Sequence, residues 1–529
     1  MFKIVEVISL LHLTAVILPV VGGLLCWGAR EKLNATSKSA TFATGLVWLS
    51  FTVFAVLLWL TGVANPSSPY YGLSATPLGL ILALLITFVS GTLHAFALRY
   101  MHGDRRFQQF FSALSLVTAS TLLMVTADNI WLLWSAWTVS NGLLVSLMIH
   151  KPQWQAARAS GYLAAKTFGL GIVSLGFASM ALVNVTGSSS LQTITAQADR
   201  LASAAVSLGP VTLPILGGIL GFIFLAALSQ SAQWPLQRWL LSSMNSPTPV
   251  SALMHAGLVN GGGFLLARYA PLYFETGGWL SVIFVSGALT AFLGTLWMLV
   301  QSDIKRMLGC STMGQMGFMF MQCGMGLFPA AVAHLCWHGL FKASLFLGAG
   351  SAVTAGATDI ARSQGTTAGK AASILRFLSA TMVGLLGAGL FAYASGKTFG
   401  VEDTTALLLG FAFMAATQAA YTLLAPSPSP VKLAGTVLLV GVGAVLYGLS
   451  VLLIDMALQP LGLSRPQPLN GIYLSVFAGF FLTWLFMLLS NERQGVLPDA
   501  WHSRLYTWTV NASQPAKTTL TATRKQYVY

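Results

Sequence analysis

Ala333-His334-Leu335-Cys336-Trp337-His338-Gly339-Leu340-Phe341-Lys342 lies inside a long apolar run, Phe328 to Thr354. His334, His338 and Lys342 are spaced i, i+4, i+8. On a helix that spacing places all three on one stripe. Ionisable groups inside a bilayer are costly, so they face a bundle interior or a water-filled path. Two imidazoles and an amine on one stripe can take up and release protons in turn. The stripe is therefore read as part of a proton relay, with Lys342 near mid-span. A lone histidine would be read as a hydrogen bond between neighbouring helices.

The rest of the chain fits a bilayer around this stripe. Of 529 residues, 55% are hydrophobic and only 8% are charged, where a soluble domain carries about 25% charge. Runs long enough to span fall at about 4–29, 40–63, 73–98, 109–127, 129–150, 160–186, 211–243, 248–271, 278–300, 304–325, 328–354, 372–396, 403–425, 432–457 and 470–490. The pattern predicts an all-α polytopic membrane protein with about fifteen transmembrane helices. Run 211–243 is too long for one straight helix and contains Pro235, so a broken helix is expected there. No strand pattern is evident.

The net charge of +14 does not point to nucleic acid, because the basic residues sit in short loops between apolar runs. With the N-terminus outside, the outer loops hold only Lys3, Arg200, Arg268 and Arg465. Lys166, Lys342 and Lys397 lie within or at the ends of spans, and the other lysines and arginines fall on the inside. That bias predicts an inside C-terminus and an odd number of spans. The first run shows no small-residue cleavage site and is read as a retained span. The tail from Asn491 to Tyr529 interleaves Trp501, Tyr506 and Trp508 with basic residues. It reads as a segment on the cytoplasmic face, either anchored at the interface or acting as a docking arm.

The acidic residues fall in loops or near span ends, Asp128 and Asp455 among the latter. No carboxylate lies deep in spans four to thirteen, so a static salt bridge could not be built from the buried groups of those spans alone. Those spans hold Lys166, His255, His334, His338, Lys342 and Lys397. Cys26, Cys310, Cys323 and Cys336 form no paired spacing and read as small core residues. No metal-ligand cluster, nucleophile elbow or nucleotide motif is present. A transporter without its own cofactor is expected, and not an enzyme.

Three further stretches carry a resemblance. The first is Ser229-Gln230-Ser231-Ala232-Gln233-Trp234-Pro235-Leu236-Gln237-Arg238-Trp239-Leu240. The second is Ser246-Pro247-Thr248-Pro249-Val250-Ser251-Ala252-Leu253-Met254-His255-Ala256. The third is Ser302-Asp303-Ile304-Lys305-Arg306-Met307-Leu308, followed by Ser311-Thr312-Met313-Gly314-Gln315-Met316-Gly317. With the opening stripe, they resemble the proton-conducting membrane subunits of respiratory complex I and Mrp-type antiporters. The resemblance is dense from about Asp128 to Val353. It implies two inverted five-helix repeats, each with an interrupted helix. The implied divisions are 1–108 for N-terminal helices, 109–271 and 272–425 for the repeats, 426–490 for C-terminal helices, and 491–529 for the tail. The first interruption falls near Pro235, the second at Ala394-Ser395-Gly396-Lys397.

His255, Lys305, His334, His338, Lys342 and Lys397 match positions that the resemblance implies for a proton pathway. Two positions depart from it. Thr138 follows Trp137 where these subunits carry a glutamate, and Gln230 stands where they carry a lysine. The first repeat has lost its charged pair. Two ordinary spans and a short basic–aromatic tail stand where a long lateral helix is expected. In this the chain is similar to the membrane subunit (DabB) of DAB-type inorganic carbon accumulation complexes, which sit in the bacterial inner membrane. The implied partner is a cytoplasmic, DabA-type subunit similar to a zinc β-carbonic anhydrase, with zinc in the partner alone. Proton flow would drive bicarbonate accumulation. The alternatives are an antiporter-like subunit of a Mrp or complex I-type assembly, and a non-conducting scaffold for a cytoplasmic enzyme.

Overall fold

The computed structural model describes residues 2–29, 36–64, 71–208, 211–350, 370–400, 402–425, 428–490 and 499–520. Each apolar run becomes helix, because a helix satisfies its own backbone groups in hydrocarbon. The long helices up to the middle of the chain are α1 (Phe2–Gly28), α2 (Thr36–Ala64), α3 (Pro77–Tyr100), α4 (Phe107–Thr126), α5 (Ile130–Met148), α6 (Gln155–Thr186), α7 (Ile215–Gln230), α8 (Thr248–Ala256) and α9 (Gly261–Arg268). They are followed by α10 (Trp279–Met298), α11 (Ile304–Gly324), α12 (Phe328–Leu347), α13 (Lys370–Ser395), α14 (Thr405–Leu423), α15 (Pro430–Leu458), α16 (Gly471–Ser490) and α17 (Asp499–Ala512). The protein is an all-helical, multi-pass membrane protein.

Among the described residues, 13 stretches are long and apolar enough to cross a membrane, with α8 and α9 counted as one. The two remaining runs read from the sequence are also helical. α7 has only 16 residues. α11 has 21 residues, but Ser311, Gln315, Gln322 and several glycines dilute its hydropathy. The basic loop residues Arg30, Lys32, Arg362, Arg493, Arg524 and Lys525 lie outside the described residues.

Caps and breakers set the ends. Pro77 follows the cap Thr76, whose hydroxyl accepts from Gly79 N–H at 3.3 Å. Asn129 caps α5 and Asp303 caps α11, each satisfying first-turn N–H groups. The break expected near Pro235 comes earlier. α7 stops at Gln230, the chain turns through Ala232 at φ 48°, and helix resumes briefly at Arg238–Leu241. The interruption expected at Gly396 is instead a helix end. Gly396 has φ 66°, and Lys397 N–H returns to Ala392 C=O at 3.0 Å, a common glycine-ended stop. One break was not expected: a single 3₁₀ turn, Leu258–Asn260, separates α8 from α9.

The expectation of no strands needs a small correction. Ala205–Leu208 pairs antiparallel with Val211–Pro214 in the loop between α6 and α7. A hairpin is tolerated in that loop because water can satisfy its open edges, which lipid cannot.

Small residues bring α10 and α11 into backbone contact. A Cβ added at Gly294 would lie 2.4 Å from Gly314 N, and one at Gly317 would lie 2.3 Å from Ala291 N. Such contact gives membrane helices their van der Waals attraction. At one face of the bundle, Arg268 Nη2 donates to Ala127 C=O at 3.0 Å and lies 3.6 Å from Asp128 Oδ1. Past the C-terminal end of α5, His150 Nε2 meets Asp104 Oδ1 at 3.1 Å. Burial lowers the His150 pKa from the ordinary 6.5, and Asp104 opposes that shift without cancelling it.

Candidate functional site

α12 carries the stripe, and its sequence lets it sit deep. Pro329 occupies the first turn, where its missing N–H costs nothing. Trp337, Leu340 and Phe341 are exposed on the lipid side. His338 and Lys342 are buried on the opposite side, at 5% and 1% exposure. Gly339 allows a close approach: a Cβ there would lie 2.9 Å from Ala256 C=O on α8. Because the two backbones touch, His338 Nε2 reaches the carbonyl oxygen of His255 at 3.1 Å. That contact assigns the proton to Nε2, since a carbonyl only accepts.

The other members line up from there. The His334 and His338 rings lie 6.0 Å apart and nearly parallel, at 15°. His255 stacks on Phe346 at 4.3 Å. Lys342 Nζ donates to Leu308 C=O on α11 at 3.3 Å, and Lys305 Nζ donates to Ser246 C=O at 3.4 Å. No carboxylate pairs with Lys342 among the described residues. Lys342 lies five residues before Leu347, the last residue of α12, with Gly348 at the C-cap.

Two cavities flank this file. A pocket of about 10 Å³ lies between His255, Lys305, Ser243, Ser251 and Gly309, room for about one water. Two residues of its wall present unpartnered polar atoms, His255 Nδ1 and Arg306 Nε. Beyond His334 lies a cavity of about 700 Å³. It is bounded by α10, α11, α12, α13, α14 and α15, and Ser311, Gln315, Gln322, His334 and Tyr447 supply its polar wall. His334 Nε2 has no protein partner.

Lys397 does not join the stripe. It sits just past the C-terminal end of α13, and its Nζ meets Asp455 Oδ2 at 2.8 Å. The carboxylate comes from outside spans four to thirteen, because α15 delivers it from 58 residues away in sequence. Asp455 is therefore a site candidate that sequence reasoning passed over. Its only sequence signal was a carboxylate inside an apolar run.

The vacancies in the first half are filled by neutral groups. Thr138 Oγ1 donates back to Trp134 C=O at 2.8 Å, within its own helix. Gln230 Nε2 donates to Leu258 C=O at 3.2 Å. Gln230 Oε1, Asn260 Oδ1, Trp137 Nε1 and both amide atoms of Asn141 have no protein partner. The cavity beside them is about 50 Å³ and mostly apolar, with Ser90, Ser140, Gln230 and Asn260 in its wall. Asn141 and Asn260 also escaped the sequence reading, because neutral amides in an apolar run look like ordinary helix packing.

A multi-pass bundle with a largely buried file of imidazoles and lysines between two cavities is the architecture of an antiporter-like membrane subunit. The family model described as NADH:quinone oxidoreductase/Mrp antiporter, transmembrane, matches residues 127–417, more than half of the chain, and the chain belongs to that family. A second model, for the N-terminus of complex I chain 5, matches residues 59–111. Among curated relatives, the probable inorganic carbon transporter subunit DabB1 of Halothiobacillus neapolitanus is 36% identical over 64% of this chain and 60% of its own. The probable DabB subunit of Bacillus subtilis is 38% identical over 58% of this chain and 59% of its own. Subunit L of the Escherichia coli NADH-quinone oxidoreductase is 34% identical over 66% and 58%. The chain thus spans about 60% of the length of these relatives. In fold it is similar to a chain of the Mrp complex from Dietzia, with TM-score 0.61 and 21% identity, covering 96% of this chain and 59% of that one.

Proposed function

We propose that this chain carries protons across a bacterial cytoplasmic membrane through its C-terminal half. The carrying observation is the file of ionisable groups from Lys305 to His334, half-buried at its two ends and buried at His255, His338 and Lys342, which opens on a cavity of about 700 Å³. From the inner side, Lys305 and the one-water pocket lead to His255, and Lys342 and His338 lead to His334. Water in the large cavity would carry the proton on past Tyr447. Asp455 lies eight residues further along α15, roughly 12 Å at the usual helical rise. The Lys397–Asp455 pair therefore stands at the outer exit. The N-terminus lies outside and the C-terminus inside. Protons run inward down their gradient.

The first half is insulating in this reading. Thr138 and Gln230 cannot exchange protons near neutral pH, and the cavity beside them is small and apolar. This favours a subunit with a single working route. The relatives named as probable inorganic carbon transporter subunits supply the cargo: proton entry drives bicarbonate accumulation by a cytoplasmic, DabA-type partner. That partner is similar to a zinc β-carbonic anhydrase and holds the zinc. The fold likeness to a Mrp chain favours a second reading, a subunit of a cation/proton antiporter or complex I-type assembly.

Two measurements separate these readings. Proteoliposomes with a pH dye report proton entry, and Lys342→Ala abolishes it. Cells expressing the pair take up labelled inorganic carbon, and the same variant abolishes uptake at normal expression. Uptake that persists in Lys342→Ala refutes the lysine's role. A flux that requires sodium on the opposite side selects the antiporter reading.

A further inference from the structure

The segment after α17 returns to the bundle and crosses the inner end of the proposed path. Ser513 and Thr519 are buried there, at 2% and 3% exposure, as is Thr509 on α17 itself, at 1%. Two edges hold the segment. On one, Gln301 Nε2, just past α10, donates to Ser513 Oγ at 2.8 Å, and Ala512 packs against the cluster of Leu241, Trp297 and Cys310. On the other, Ala516 N–H donates to Ser242 Oγ at 3.2 Å, and Asn245 Nδ2 donates to Thr519 C=O at 2.9 Å. Ser242 and Asn245 belong to the turn whose Ser246 carbonyl accepts from Lys305. Ser243 of the same turn lines the one-water pocket that joins Lys305 to His255.

We infer that Ser513–Thr519 is a latch that holds the inner mouth of the path shut, with Gln301, Ser242 and Asn245 as its catch. The claim rests on the proton path proposed above. The latched pocket admits about one water, and His255 Nδ1 and Arg306 Nε in its wall have no protein partner. Releasing the segment frees the Ser242–Ser246 turn, and water enters to satisfy those atoms. A cytoplasmic partner that takes hold of α17 would release the latch. The exposed side chains Leu505, Tyr506 and Trp508 offer it a grip on that helix.

The test uses the full chain carrying Ser243→Cys in inside-out vesicles. A membrane-impermeant maleimide is added, and labelling at residue 243 is read by peptide mass. Each lost hydrogen bond shifts the opening equilibrium by roughly fivefold. Asn245→Ala with Gln301→Ala should therefore speed labelling by about 25-fold, and a stop codon at Asn511 should do the same or more. Proton entry, measured in parallel, should rise in both variants and vanish when Lys342→Ala is added. Equal labelling rates in latched and unlatched protein overturn the latch. Faster labelling with unchanged proton entry, in a protein that does conduct, overturns its control of the path. Faster labelling with no proton entry in any form, the intact chain included, supports the latch and overturns the proton path instead.

Discussion

Gly339→Ala tests the contact on which the stripe depends. The residue is helical, so alanine introduces no backbone strain and favours helix by about 1 kcal/mol. Its Cβ, however, would lie 2.9 Å from Ala256 C=O. Both groups belong to helix backbones, so neither can rotate away. Restoring ordinary contact requires α12 to retreat by about 0.5 Å from α8. The His338 Nε2 to His255 C=O distance, 3.1 Å in the native protein, would then reach about 3.6 Å, beyond a hydrogen bond. The loss costs about 1 kcal/mol and roughly cancels the gain in helix propensity. Stability should stay near native while His338 loses its anchor. Misplacing a catalytic group by 1 Å can cost about a hundredfold, so proton entry should fall roughly tenfold. Dye-loaded proteoliposomes measure the flux, and thermal unfolding in detergent checks the fold. Native flux from a protein with native unfolding would refute the anchoring role.

Three further outcomes are expected. Lys397→Ala and Asp455→Ala should each destabilise the protein more than the double replacement does, because each single change strands a partly buried charge. A double-mutant cycle by thermal unfolding should give a coupling of about 1–3 kcal/mol. For His150, the folded pKa lies below the unfolded value of 6.5. Its contribution is therefore whole above pH 6.5 and is lost as pH falls below it, since the unfolded chain binds the proton more readily. His150→Gln should flatten that acid-side loss in a pH series of unfolding temperatures. Finally, Thr138→Glu alone should destabilise the first half by several kcal/mol, as an unpaired carboxylate would enter an apolar site. Adding Gln230→Lys should recover part of that loss in the same unfolding assay, if the two side chains meet.

The fold was legible because lipid makes its sequence signal continuous. Apolar runs mark the helices. The stripe was legible because i, i+4, i+8 spacing is a property of one helix. What stayed hidden depends on a second element. Asp455 becomes the partner of Lys397 only when α15 packs beside α13. Neither the hold of Asn245 on Thr519 nor that of Gln301 on Ser513 has any trace in local pattern. The helix ends were blurred for another reason: glycine continues an apolar run as readily as it stops a helix. Gly348 and Gly396 both stop one here. Pro235 drew the expected break toward itself, while the chain leaves the helix earlier, at Ser231–Ala232.

The backbone contact between α10 and α11 has a mechanical consequence. With Gly294 against Gly314 and Gly317 against Ala291, the two helices cannot slide past each other by a turn. The register would then set side chains against backbone at distances no packing tolerates. These helices form one wall of the large cavity and carry Ser311, Gln315 and Gln322 into it. That wall is therefore a fixed beam. Transporters that rock one bundle against another need a seam that yields, and this one does not. Alternation of access here falls to smaller parts: rotamers, the turn at Ser242–Ser246, and the filling or draining of a rigid vessel by water.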